Sequence, residues 1–147
     1  MESSIRVEQL SKSYQGTQVV KSISFQVNKG EIFAFLGPNG AGKSTTISIL
    51  STLLKKDSGT VIINGCHLGQ EDERIRSNIG IVFQNSVLDE LLSVKQNLIL
   101  RSALYHLSFK QACQRVQKLC EICSLHDIMH QPVGTLSGGQ RRRCDIA

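Results

Sequence analysis

The stretch Gly37–Thr45 reads Gly-Pro-Asn-Gly-Ala-Gly-Lys-Ser-Thr and contains G-x-x-x-x-G-K-S, the pattern of a phosphate-binding loop. Its glycines lack a Cβ atom, so the backbone can adopt positive φ angles and approach a phosphate closely. Successive N–H groups then point at the anion from a helix N-terminus. Lys43 adds a positive charge, and the Ser44 hydroxyl is a ligand for Mg²⁺. We therefore predict that this stretch binds the polyphosphate of a nucleotide.

The residues on either side favour a strand–loop–helix unit. Ile32–Leu36 is an unbroken apolar run of the kind that buried parallel strands show. Ser44–Leu54 follows, with Ile47, Leu50 and Leu54 at helical spacing. The alternative is a chance glycine-rich turn, and these flanks make it the weaker interpretation.

Shorter apolar segments predict an antiparallel portion and further strands. In the first segment Val7 and Leu10 fall on opposite faces of an alternating pattern, and a polar turn over Ser11–Gly16 follows it. The pair Asn64-Gly65 is a strong turn signal. Strands are predicted over Ile5–Leu10, Thr17–Val27, Thr60–Ile63 and Ile79–Phe83.

The next part of the chain is helical. Ser93–Gln96 and Ser108–Gln111 are capping boxes, in which serine and glutamine satisfy each other's free N–H groups. Leu100, Leu104 and Leu107 share a face of the first helix. The second helix carries one apolar stripe, formed by Phe109, Ala112, Cys113, Val116, Leu119, Cys120 and Cys123.

Length and composition set broad limits. A chain of 147 residues is expected to form one domain. Its formal charge of +5 suits a polyanionic ligand, nucleic acid or an anionic membrane surface equally well. The sequence has no signal-peptide pattern and no apolar run long enough to span a bilayer. Its five cysteines are then expected to be reduced thiols.

A second glycine-containing motif, Leu136–Gln140, reads Leu-Ser-Gly-Gly-Gln. It could be a flexible turn that simply begins a helix. It could also be a second anion site, in which the Ser137 hydroxyl and two glycine amides lie at a helix N-terminus.

With Gly37–Thr45, Gln84 and Leu136–Gln140 in this order, the chain resembles the ATP-binding domain of an ABC transporter over essentially Ile5–Ala147. The resemblance implies an α/β fold: a P-loop NTPase core of the ABC ATPase type with an antiparallel β portion and a helical subdomain. We expect it to be incomplete, with the β-rich core over 1–90, the helical subdomain over 91–135, and the signature motif and the following helix over 136–147.

The resemblance also assigns roles to residues. Gln84 is expected to reach Mg²⁺ and the attacking water and to sense the γ-phosphate, and Ser44 to ligate the same ion. A second copy's ATP is expected to be bound in trans by Ser137, Gly138, Gly139 and Gln140. Tyr14 is expected to stack on the adenine of the ATP that is bound at this chain's own loop. The other residues expected to contact that ATP are Gly37, Asn39, Gly40, Ala41, Gly42, Lys43, Ser44 and Thr45.

The function implied is that of an ATP-binding subunit that couples ATP binding to transport by a membrane partner. Two such domains are expected to dimerise head to tail, on the cytoplasmic face of the membrane, attached only through the partner and without contacting nucleic acid. Ser93–Leu98 and Gln140–Arg143 are similar to segments of drug- and polysaccharide-type exporters.

Hydrolysis is a separate question, because in the family a Walker B aspartate and a catalytic glutamate follow on the next strand. The sequence stops at Ala147, and Asp145 comes too early to be that aspartate. We therefore expect a partial chain whose own residues do not complete the ATPase machinery. A nucleotide-binding remnant without turnover, and a soluble ABC protein of translation or repair, are the alternatives.

Two further patterns favour ordinary structural roles. Cys120, Cys123, His126 and His130 have a ligand-like spacing, but the cysteines lie on the apolar stripe and are expected to pack as small hydrophobic residues. Arg141–Arg143 could contact nucleic acid, but a solvated helix face is the expected role, since no aromatic residues are interleaved.

Overall fold

The computed structural model describes residues 2–105 and 107–147. They form two compact units, Met1–Ile81 and Val82–Ala147. The first holds the β-sheet, the phosphate-loop motif and two helices, and the second holds the remaining helices and the signature motif. The domain boundaries placed at residues 90 and 135 stay predictions.

The first unit is built on a four-stranded antiparallel sheet with the order β2-β1-β3-β4. Both hairpin turns contain two residues of positive φ, Gln15-Gly16 (48° and 81°) and Asn64-Gly65 (48° and 79°), the geometry that tight hairpins prefer. The predicted polar turn over Ser11–Gly16 is therefore too long, because the first strand continues to Tyr14. The strands are β1 (Ser3–Tyr14), β2 (Thr17–Asn28), β3 (Ser58–Ile63) and β4 (Cys66–His67).

The strand β1 contains a bulge, so the simple alternation predicted for this strand is wrong. Val7 and Leu10 are both buried, at 1% and 0% exposure, although simple alternation puts them on opposite faces. Between them the register shifts and Gln9 has a φ of 51°, so the extra residue returns Leu10 to the core side. Gly59 of β3 lies against this bulge, and a Cβ atom there would be 2.5 Å from the Gln9 carbonyl oxygen.

The parallel strands predicted on either side of the nucleotide motif are not formed. Neither Ile32–Leu36 nor Ile79–Phe83 is a strand, and among the described residues the sheet is wholly antiparallel. No neighbouring strand supplies a hydrogen-bonding ladder to either segment, which is what a strand requires. The strands predicted over Ile32–Leu36 and Ile79–Phe83 are therefore wrong for the residues that the structure describes.

The segment before the phosphate loop is nevertheless anchored on one side. Phe33 and Phe35 both pack on Phe25 of β2, with ring centroids 5.1 and 5.0 Å away. The alternate positions face outward, as Ile32 is 98% and Leu36 89% exposed. One side of this apolar run is covered only in part, since Phe33 is itself 43% exposed, whereas the sequence predicted burial of both sides.

Two helices complete the first unit, α1 (Lys43–Leu50) and α2 (Asp72–Asn78). The buried face of α1 consists of Thr46 and Ile49, whereas Ile47 is 49% exposed. Of the predicted face, Leu50 and Leu54 pack partly buried against the core of the first unit, whereas Ile47 does not, and the helix ends before Leu54.

Besides short 3-10 turns at Ala103–Tyr105, His126–Ile128 and Val133–Thr135, the described part of the second unit contains the α-helices α3 (Val94–Ser102), α4 (Phe109–Ile122) and α5 (Gly138–Ile146). Each begins at a serine that forms a capping box with a glutamine three residues later. The two predicted boxes are confirmed. The predicted leucine face of α3 is wrong, since Leu100 is 62% exposed and Leu98 is buried instead. The core comprises Leu88, Val94, Leu98, Val116, Cys120, Leu125, Ile128, Met129, Val133, Leu136 and Cys144.

Over residues 2–105 and 107–147, none of the helices combines the length and the apolar character that a bilayer crossing requires.

Candidate nucleotide-binding site

The phosphate-loop motif adopts the backbone conformation that its glycines predict. Gly40 and Gly42 have φ angles of 84° and 81°, and Gly42 is the N-cap of α1. A Cβ atom on Gly42 would lie 2.6 Å from the Val19 carbonyl oxygen of β2, so only glycine fits there. The Gly42 carbonyl accepts from the Thr46 N–H at 2.8 Å and from its hydroxyl at 2.9 Å. The loop is thus fixed to both β2 and α1.

Lys43 lies across this loop. Its Nζ donates to the carbonyl oxygens of Gly37 and Pro38, each at 2.7 Å. The Ala41 N–H donates to the Pro38 carbonyl at 3.3 Å. No acidic residue lies in the first turn of α1, so the positive end of the helix and the Lys43 ammonium both favour an anion at the loop. The donors present therefore fit a polyphosphate group.

Tyr14 lies at the end of the hairpin whose second strand supports the phosphate loop. It pairs with Thr17 across the turn and is 46% exposed, so its ring is accessible. The Lys12 ammonium lies 5.7 Å from the ring centroid and 2.6 Å from Asp57 Oδ1. This hydrogen bond, together with one from the Ser13 N–H, lowers the pKa of the Asp57 carboxyl. Tyr14 therefore belongs to the same pair of strands, β1 and β2, that the phosphate loop packs against at Gly42.

Gln84 belongs to the second unit, in a segment without helix or strand, and its side chain is exposed. The residues that flank it are bonded to α5. The Arg142 guanidinium donates to the Phe83 carbonyl oxygen, and Ser86 Oγ donates to Asp145 Oδ1 at 2.7 Å. Sequence analysis missed these two contacts, because no pattern links residues 59 positions apart.

The signature motif begins α5. Ser137 Oγ accepts from the Gln140 N–H at 3.3 Å, and Gln140 Oε1 accepts from the Ser137 N–H at 2.9 Å. Both glycines are exposed, and a Cβ atom on Gly138 or Gly139 would meet nothing within 4 Å. Glycine is unfavourable in a helix, and nothing within the described part of the chain requires it at these two positions.

Two of the three arginines that follow the motif, Arg141 and Arg142, form contacts within the second unit. Arg141 pairs with Glu90 at 3.0 Å, and it donates to the Val133 carbonyl oxygen at 3.4 Å. Arg142 is bonded to Phe83 as described above. Arg142 and Arg143 are both exposed, as expected for a solvated helix face, whereas Arg141 is half-buried at its contact with Glu90.

The cysteine and histidine pattern corresponds to packing. Cys120 is 5% exposed within the core, as predicted for a small hydrophobic residue, and Cys123 packs against the same core. Cys120, His126 and His130 line a cavity of about 390 Å³. Over the described ranges no three His, Cys, Asp or Glu side chains are arranged to hold a metal ion. Burial raises the pKa of the Cys144 thiol, also in this core.

Comparison with known proteins places these features in a family. A family model described as ABC transporter matches residues 20–147. The chain is 39% identical over 142 residues to the linearmycin resistance ATP-binding protein LnrL of Bacillus subtilis, covering 97% of this chain and 46% of that protein. It is 43% identical over 138 residues to the doxorubicin resistance ATP-binding protein DrrA of Mycobacterium tuberculosis, covering 92% of this chain and 42% of that protein. The chain thus spans less than half the length of these relatives.

Solved structures agree on the fold. CbiO1 from Clostridium perfringens, described as part of the ABC transporter complex cbiONQ, superposes with a TM-score of 0.87 at 29% identity. The alignment covers 99% of this chain and 60% of that one. An ATP-binding subunit of an ABC transporter superposes with a TM-score of 0.79 at 30% identity, over 97% of this chain and 59% of that one.

Proposed function

The chain belongs to the ABC transporter family, and on this premise we propose that it is the nucleotide-binding part of an ATP-binding subunit that couples ATP binding to transport by a membrane partner. The observation that carries the proposal is the loop around Gly42. Its left-handed glycines, the N-terminus of α1 without an acidic residue in its first turn, and the Lys43 ammonium lie in one loop, and together they support an anion site there.

The proposed assignment of contacts follows from the chemistry of each group. Amides of Gly40–Thr45 and the Lys43 ammonium hold phosphates, with Gly37, Asn39 and Ala41 shaping the loop. The Ser44 hydroxyl is a hard oxygen ligand suited to Mg²⁺. Tyr14 offers an accessible ring for adenine, and Gln84 supplies an amide for Mg²⁺ and for sensing the γ-phosphate.

The signature motif is proposed to contact the ATP of a second copy in a head-to-tail dimer. Gly138 and Gly139 support this proposal, because no contact within the described chain explains their lack of a side chain. A closely approaching ligand does explain it. Ser137 Oγ accepts one hydrogen bond in the capping box, so its hydroxyl hydrogen remains able to donate to a phosphate oxygen.

The transport role and its direction are also proposals. Two relatives are named for resistance to linearmycin and doxorubicin, which supports export of a drug-like cargo. A peripheral position on the cytoplasmic face of a membrane, reached through the partner subunit, follows from this role.

Titration of Mg·ATP against the unsubstituted protein, Lys43→Ala and Lys55→Ala tests the nucleotide site. Lys43→Ala removes the ammonium at the loop, and we expect affinity to fall about a hundredfold, since a hydrogen bond to a charged group contributes about 1.5–3 kcal/mol. Lys55→Ala makes the same charge change at an exposed position away from the loop and is expected to leave affinity unchanged. Equal affinity in all three proteins would refute the site.

A further inference from the structure

The signature helix is bonded to the chain on both sides of Gln84. The Arg142 guanidinium donates to the Phe83 carbonyl oxygen, and Asp145 Oδ1 accepts from Ser86 Oγ at 2.7 Å. Arg142 and Asp145 are three residues apart on α5, a spacing that places both side chains on one face of a helix. Both contacts involve a charged group, which makes them stronger than hydrogen bonds between neutral groups.

These contacts act on an exposed segment whose next attachment follows closely in the chain, where the Arg101 guanidinium donates to the Val87 carbonyl oxygen at 2.7 Å. Phe83 is 42% exposed, Gln84 and Asn85 are exposed, and residues 79–92 form no helix or strand. Firm burial begins only at Leu88, which is 7% exposed in the core of the second unit. In α5 the corresponding anchor is Cys144, at 1% exposure, directly before Asp145. The helix is therefore fixed in the core, whereas the Gln84 segment is exposed and bonded to it.

We propose that Arg142 and Asp145 are positioning residues that hold the backbone around Gln84, so that Gln84 and the signature helix move as one body. This proposal rests on the proposed role of Gln84 at the nucleotide. A displacement of Ser137, at the beginning of α5, is then transmitted to Gln84 through a helix of nine residues. Occupation of the signature motif and the placement of the Gln84 amide are coupled by these two contacts.

Backbone ¹⁵N relaxation, measured without nucleotide, tests directly whether Arg142 and Asp145 hold the backbone around Gln84. We expect order parameters at Gln84 and Asn85 near 0.85 in the unsubstituted protein, falling below about 0.6 in Arg142→Ala and in Asp145→Ala. Arg143→Ala removes the same charge from an exposed neighbouring position of α5 and is the matched control, expected to cause no change. Asp145→Asn keeps an acceptor oxygen and is expected to retain the high values.

Ser86→Ala removes the Asp145 contact from the other side, together with the hydrogen bond that Ser86 Oγ accepts from the Leu88 N–H at 3.3 Å. It leaves the sequence of α5 unchanged, so the test does not depend on the folding of a helix variant. It is expected to lower the same two order parameters. Unchanged values in Ser86→Ala and Arg142→Ala would overturn the proposal. A general loss of order that includes Asn97 and Leu98 of α3 would overturn it as well, because the contacts would then stabilise the whole unit.

A double-mutant cycle tests the coupling to function. Arg142→Ala is expected to weaken Mg·ATP binding about tenfold in the unsubstituted protein and to have no further effect in a Gln84→Ala background, because both changes remove the same placed amide. Additive effects would overturn the coupling. If the unsubstituted protein bound no Mg·ATP, the proposed function would fail, whereas the relaxation experiment would still decide whether Arg142 and Asp145 hold the segment.

Discussion

Gly42 of the phosphate loop lies directly against Val19 of β2, so closely that a Cβ atom would be 2.6 Å from the Val19 carbonyl oxygen. The loop and the hairpin that carries Tyr14 are therefore in van der Waals contact at a point where no side chain fits. Any widening of this contact displaces the first turn of α1, because Gly42 is its N-cap.

Gly42→Ala is expected to destabilise the protein and to weaken Mg·ATP binding at least tenfold. Gly65→Ala is the matched control, since its φ of 79° is almost the same and its added Cβ would meet nothing within 4 Å. Backbone strain of about 1–2 kcal/mol is common to both variants, so the difference isolates the Val19 contact. Urea unfolding and calorimetric titration measure the two effects. Equal losses in both variants would contradict the steric account.

Tyr14→Ala is expected to weaken ATP binding about 10- to 100-fold, because stacking of a base on an aromatic ring contributes about 1–3 kcal/mol. Tyr14→Phe keeps the ring and should bind ATP normally. Inorganic triphosphate has no base, so its affinity should be the same in all three proteins. If Tyr14→Ala weakened triphosphate and ATP equally, the ring would act through the loop and not through adenine.

Ser137→Ala and Ser93→Ala remove equivalent capping boxes at α5 and α3. Each is expected to lower the free energy of unfolding by about 0.5–2 kcal/mol. Only Ser137→Ala should also reduce ATP-dependent dimerisation, measured by sedimentation, because only Ser137 is proposed to contact nucleotide in trans. Should Ser93→Ala reduce dimerisation to the same extent, the effect would reflect stability alone.

Asp57→Asn tests the contact between the Asp57 carboxylate, directly before β3, and the Lys12 ammonium of β1. The carboxyl pKa is lowered from its ordinary value of 3.8, first by the hydrogen bond from Lys12. Its stabilising effect is therefore complete above pH 3.8 and is lost as the pH falls through the lower, folded-state pKa. We expect a small decrease in melting temperature for Asp57→Asn at pH 6 and convergence with the unsubstituted protein in stronger acid. A difference that persisted unchanged in acid would exclude the ionised carboxylate as its cause.

Cys144→Val tests whether ionisation of the buried Cys144 thiol lowers the stability of the protein at alkaline pH. Burial raises the pKa of Cys144 above its ordinary value of 9.0, so the unfolded chain releases this proton first and stability falls as the pH rises past 9.0. The variant lacks this group, and its stability should fall less than that of the unsubstituted protein as the pH rises past 9.0. Parallel curves for both proteins would show that the thiol does not contribute.

The motifs were predictable from sequence because their information is local. The loop around Gly42, the turn at Asn64-Gly65 and the caps at Ser93 and Ser108 are each specified within a few residues and were predicted, whereas the third cap, at Ser137, was not. The other failures concern distant neighbours. Burial of both faces of Ile32–Leu36 requires strands that do not lie beside it among the described residues.

Long-range contacts within the units could not be predicted from the sequence either. The bulge at Gln9 depends on Gly59, and the bond from Arg142 to Phe83 joins residues 59 positions apart. Asp145 illustrates the point, because sequence analysis dismissed it only as a misplaced Walker B aspartate. Its contact with Ser86 gave no signal in spacing or composition.

The repeated serine–glutamine cap has a consequence for the order of events during synthesis. Each cap joins residues only three positions apart, so the beginning of α3 is specified once Gln96 has left the ribosome, and that of α4 once Gln111 has. Neither waits for Cys144, which closes the core much later in the chain. We therefore expect both helix starts to be specified in a nascent chain whose residues up to Ile122 have left the ribosome, before α5 emerges and docks.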